Sequence, residues 1–149
     1  MEKQNFYDLN FDQLKNFLID KAEVDGSKAK MRTQQMFNAV YKKNIKSLDE
    51  LTTFGLELRE KIKNLISLDK PKIIDIQKSK DGTIKFLLEL KDKRNVETVL
   101  IPDKTQSRYT ICLSVSVGCY LSCEFCATAQ ISKKLVRNLT PGEIISQII

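Results

Sequence analysis

The chain contains no histidine, and its only cysteines, four in number, all fall between residues 112 and 126. Without histidine, the mixed Cys/His sets that hold many structural zinc ions are excluded, and no second CxxC pair is present to complete an all-cysteine set. The opening residues, MEKQNFYDLN, lack the apolar core of a signal peptide, and nowhere do 18 apolar residues follow one another. The sequence therefore predicts a cytoplasmic protein without membrane contact. In that reducing compartment clustered cysteines bind metal or do chemistry more often than they form structural disulfides. Neither an internal repeat nor a low-complexity tract is found.

What is present points to a folded, basic protein. Its 149 residues are 42% apolar and 30% charged, which suits one ordinary domain or a small domain joined to part of a larger one. Lysine and arginine outnumber the acids 25 to 19, a net charge of +6. Such an excess fits a polyanionic partner without requiring one.

The first 67 residues carry helical signals. Asn10 with Gln13 resembles a capping box ahead of Leu14, Phe17 and Leu18. A second helix is predicted from near Ser27, with Met36, Phe37, Val40 and Tyr41 on one face. Ser47 and Glu50 make another box, and Leu58, Ile62, Leu65 and Ile66 form a stripe after Gly55. From residue 71 the apolar period changes to two. Ile84, Phe86, Leu88 and Leu90 follow KDGT, whose Asp-Gly pair favours a two-residue hairpin turn. VETVLIP, residues 96–102, reads as a strand closed by its proline. A single strand over 109–117 is predicted next, with Cys112, Ser114 and Ser116 on its small, polar face. Thr140, Pro141 and Glu143 then start a helix expected to carry Ile144, Ile145, Ile148 and Ile149 to the last residue.

Cys119, Cys123 and Cys126 form a CxxxCxxC loop directly after that strand. Zinc would need Cys112 as a fourth ligand, bent back along its own strand. A disulfide framework would staple only one local loop. Plain buried thiols remain an alternative, above all for Cys112. Thiolates at this spacing also suit an iron-sulfur cluster, three of whose irons they would hold, leaving one open to a small molecule.

With Phe125 just before the last cysteine, this loop resembles the radical S-adenosylmethionine superfamily. The wider run of VETVLIP, CLSVSVGCYLSCEFCATAQ and RNLTPGEII resembles the RlmN/Cfr group of RNA methyltransferases, and MRTQQMFNAVY is similar to that group's accessory domain. The linker ATAQISKKLV lacks the glycine usual in the group. The resemblance implies an α/β protein: a helical accessory domain over 1–70, a connecting antiparallel sheet over 71–103, and over 104–149 the first βα unit of a partial (β/α) barrel. It implies a truncated chain unable to complete the reaction alone, since the group's late methyl-accepting cysteine is missing.

The same resemblance implies a 4Fe-4S cluster on Cys119, Cys123 and Cys126, with S-adenosylmethionine at the open iron. The expected reaction is methylation of an adenosine, at carbon 2, in 23S rRNA and tRNA, by way of a methyl-cysteine and a radical. Carbon 2 is not nucleophilic, so a simple displacement would not run. Glu97 matches the group's proton acceptor, a role that burial would favour. Cys112 matches its resolving cysteine. An electron donor and a monomeric state are expected. Lys42, Lys43 and Lys46, and Lys133, Lys134 and Arg137, are two basic clusters available to RNA phosphates. A non-catalytic RNA-binding remnant and a radical activase of another class are the alternatives.

Overall fold

A computed structural model describes residues 3–103, 105, 107–121, 123–126 and 135–149. The chain divides into two compact units, Met1–Asp69 with Ile149, and Lys70–Ile148. The ends of the first are tied by parallel pairing of β1 (Gln4–Asn5) with β2 (Ile66–Ser67). Between them lie α1 (Phe11–Asp20), α2 (Gly26–Phe37), a π turn (Asn38–Lys42) and α3 (Leu56–Leu65).

The caps explain where these helices begin. Asn10 accepts the Gln13 N–H at 2.9 Å while Gln13 accepts the Asn10 N–H at 2.9 Å, so two amides with no intrahelical partner are satisfied reciprocally. Asp25 caps α2 by accepting the Ser27 N–H at 2.8 Å. The Ser47 and Glu50 box also forms, but on a 3-10 turn (Leu48–Glu50), because Leu51 leaves the helical region at ψ 59. Leu14, Leu18, Met36, Val40 and Ile62 are buried. At about 1.5–3 kcal/mol for each such side chain, this burial is the main force holding the helices together.

In the second unit β3 (Lys72–Lys78), β4 (Ile84–Glu89), β5 (Asn95–Asp103) and β6 (Arg108–Cys112) form an antiparallel sheet in that order. The β3–β4 turn is longer than the expected two residues. Gly82 N–H donates to Ser79 O at 3.1 Å and Ser79 N–H to Thr83 O at 2.9 Å, with Gly82 at φ +93. These bonds describe a turn followed by a left-handed glycine, the pattern of a three-residue hairpin loop. Pro102 does not close β5, which runs on to Asp103.

The strand predicted over 109–117 is two strands. β6 ends at Cys112, and β7 (Ser116–Val117) pairs with β8 (Arg137–Asn138) in antiparallel register. The chain leaves one ladder at Leu113 and joins another, and that exchange breaks the run. α4 (Pro141–Ile145) starts at the expected Thr140–Glu143 box but stops at Ser146, well short of Ile149. Leu88, Leu90, Val96 and Leu139 form the core here, with Phe86, Val117 and Ile144 packed on it. Among the described residues no helix is long and apolar enough to cross a membrane.

Candidate functional site

The cysteine loop leaves β7 through Gly118, whose φ of +78 suits a residue without a Cβ. Ser116 Oγ–H donates to Gly118 O at 3.2 Å, pinning this exit. Cys119, Cys123 and Cys126 are each half-buried, and no disulfide joins them or Cys112. The Leu121 N–H points at Cys119 Sγ at 3.4 Å, and Cys126 N–H donates to Cys123 O at 3.0 Å. Among the described residues no three His, Cys, Asp or Glu side chains are gathered closely enough to hold a metal ion.

The donor set nevertheless fits a sulfur-ligated cluster in kind. Three thiols share one loop, and an amide aimed at a cysteine sulfur is the sort of hydrogen bond that tunes such clusters. Phe125 is 91% exposed, and Tyr120 and Leu121 are exposed beside it.

Glu97 and Cys112 sit on the sheet. Cys112 stands opposite Val99, and Val99 stands opposite Lys85. Glu97 is two residues from Val99, so it leaves the sheet on the same face as Cys112 and lies one diagonal step away. The structure thus brings these two residues onto one surface. Glu97 does not have the buried surroundings expected of it: its side chain is 52% exposed, and Lys85 Nζ lies 2.9 Å from its Oε1. Cys112 is exposed too, rather than buried as a core thiol would be.

Two residues that fix this region were not singled out for that role from the sequence. Gln147, just beyond α4, uses its whole amide. Its Oε1 accepts from Thr98 Oγ1 at 2.7 Å and from the Ser114 N–H at 3.1 Å. Its Nε2 donates to Ser114 O at 2.8 Å and Glu143 O at 3.2 Å. Ser114 Oγ in turn donates to Glu97 O at 2.7 Å.

Arg137, assigned to phosphate by its basic neighbours, is committed elsewhere. It forks onto Glu143 at 2.7 and 2.8 Å and reaches Asp92 at 2.9 Å. These bonds hold the Glu143 and Asp92 carboxyls below the usual range and raise the guanidinium further above its own. Its spacing to Glu143 is the one signal the sequence offered. Lys133 and Lys134 lie outside the described residues. Lys42, Lys43 and Lys46 are exposed, Lys46 donating to Asn44 Oδ1 at 3.0 Å.

A dual-specificity RNA methyltransferase RlmN from Campylobacter fetus is 39% identical over 98% of this chain. Over its length, this chain is similar to RlmN proteins. A probable dual-specificity RNA methyltransferase RlmN from Staphylococcus aureus is 37% identical over 99% of the chain. A crystal structure of a radical SAM methyltransferase from Sphaerobacter thermophilus superposes on 97% of the chain with a TM-score of 0.80 and 32% identity. The chain spans 41% and 38% of the two RlmN relatives and 40% of the solved structure. No protein-family model matches the chain.

Proposed function

We infer that this stretch provides the accessory unit and the cluster loop of a radical SAM methyltransferase that acts on an adenosine, at carbon 2, in 23S rRNA and tRNA. The observation that supports the reading most is the RlmN-family match along essentially the whole chain, cysteine loop included. In this reading residues 1–70 are the accessory domain, 71–103 a connecting sheet whose last ladder partner, β6, lies in the following segment, and 104–149 the opening of a partial (β/α) barrel.

Cys119, Cys123 and Cys126 would hold a 4Fe-4S cluster with one corner left for S-adenosylmethionine. When bound, the cluster supplies the electron for reductive cleavage of S-adenosylmethionine, with an external donor reducing it again. The loop's task is to ligate three corners and leave the fourth open. Glu97 would take the proton from the adenosine carbon, and Lys85 would hold that carboxylate in place. Cys112, as a thiolate on the same sheet face, would attack the sulfur of a methyl-bearing cysteine outside this stretch. The S–S bond forms as the S–C bond to the RNA breaks, and the carbon leaves with that electron pair and takes a proton to become the methyl group. Neither group needs to cross the sheet to reach a shared substrate.

The test is anaerobic reconstitution of the chain with iron and sulfide. The expected product holds about four irons and shows an electron paramagnetic resonance signal that changes when S-adenosylmethionine is added. Serine at any of the three loop positions should abolish it. Failure to retain iron, or a reduced cluster indifferent to S-adenosylmethionine, would overturn the reading.

A further inference from the structure

Gln147 satisfies four polar groups from three parts of the second unit with one side chain. By accepting from and donating to the backbone of Ser114, its amide stands in for a strand partner at the residue where β6 has ended and β7 has not begun. Its second acceptor contact reaches Thr98, which is buried in β5 directly after Glu97. Its second donor contact reaches Glu143 O, so the clamp is anchored to α4, the helix just before it. Ser114 adds the last link by holding the Glu97 carbonyl. The segment so gripped has Cys112 two residues before it and the exit to the cysteine loop four residues after it.

We propose that Gln147 is a positioning residue of the reaction site, fixing Cys112 and Glu97 relative to the cysteine loop. The proposal rests on the reading of those residues given above. An amide is the one neutral group of this length with two acceptor sites and two donors, which is the set used here. Glutamate would keep the acceptors and place charge against two carbonyl oxygens. Alanine would leave Ser114 N–H and C=O, and the Thr98 hydroxyl, without these partners.

The experiment compares the parent chain with Gln147→Ala and Gln147→Glu by two measurements. The first is amide hydrogen exchange, which needs no cluster. Exchange at Ser114 should quicken about tenfold in Gln147→Ala, the equivalent of one lost hydrogen bond, and less in Gln147→Glu, which keeps an acceptor for that N–H but loses the bond to Ser114 O, while β3–β4 hairpin amides keep their rates. The second uses the reconstituted chain, in which the loop cysteines are occupied and Cys112 alone takes a nitroxide label. Relaxation of the label by the reduced cluster should follow a single rate in the parent and a spread of rates in the variants.

Unchanged exchange at Ser114 overturns the proposal. So does faster exchange with unaltered label relaxation, since the clamp would then be structural only. Should the parent itself take up no cluster, the functional reading fails and the positioning role falls with it. That outcome is separated from failure of the clamp by the exchange data.

Discussion

Replacing Arg137 by alanine removes the fork onto Glu143 and the bond to Asp92 in one step. The pair is only partly open to solvent, with 30% of the arginine side chain and 19% of the glutamate accessible, so screening is incomplete. Asp92 is more exposed and adds little. Glu143 would keep its capping bond from the Thr140 N–H at 2.9 Å but lose both charged donors. Loss of two charge-assisted hydrogen bonds at a half-exposed site should cost the second unit about 2 kcal/mol. For a unit of this size that corresponds to a fall in Tm of roughly 8–16 °C. Arg137→Lys keeps the charge without the fork and should cost about half as much. Because the chain divides into two units, a bulk melt would mix their transitions, so the measurement is hydrogen exchange of β4 and β5 core amides under increasing urea. Stability within about 0.5 kcal/mol of the parent, together with a shallower salt dependence of RNA binding, would refute the reasoning and return Arg137 to a phosphate.

The same carboxylates predict a response to acid. Their folded pKa values lie below the unfolded ones, so their contribution is complete above the usual carboxylate range and is lost as pH falls through the lowered values. The second unit should weaken on acidification, and an Arg137→Ala chain should show a smaller change over the same pH range. Leu18→Ala, at a fully buried position in α1, should destabilise the first unit by about 2–5 kcal/mol in urea unfolding, and a cost under 1 kcal/mol would contradict the packing described. Gly82→Ala would strain a residue at φ +93 and set a Cβ 3.2 Å from Pro102 Cγ; a loss of about 1–2 kcal/mol is expected, with Gly82→Asn milder. Asn10→Ala should lower the stability of the first unit by about 1 kcal/mol, seen as a reduced urea midpoint.

What could be read in advance was local. The boxes at Asn10, Ser47 and Thr140 are contacts between residues three apart, and all of them form. Alternation in β4 and β5 revealed the sheet for the same reason. The errors came where a distant residue decides the matter. Nothing near Leu113 signals that β6 must yield to β7, because the reason is a second ladder with β8. The early end of α4 coincides with the turn of Gln147 onto Ser114, 33 residues away. Arg137 looked like part of a basic run because it follows Lys133 and Lys134, while its partners, Glu143 six residues on and Asp92 45 residues upstream, are shown only by the fold. At the candidate site, sequence supplied Cys112, Glu97 and the three loop cysteines. Register supplied what it could not: the common face of the first two, and the lysine beside Glu97.

The outer strand β3 has every residue exposed, Ile73, Ile74 and Ile76 among them. An uncovered border of this kind is a template on which a second polypeptide can lay its backbone. Two features oppose that outcome: the irregularity between Ile73 and Asp75, which spoils the spacing of the rung, and the charges of Lys72, Asp75 and Lys78 along it. Straightening the kink or neutralising those charges would turn a tolerated border into a seed for fibrous assembly.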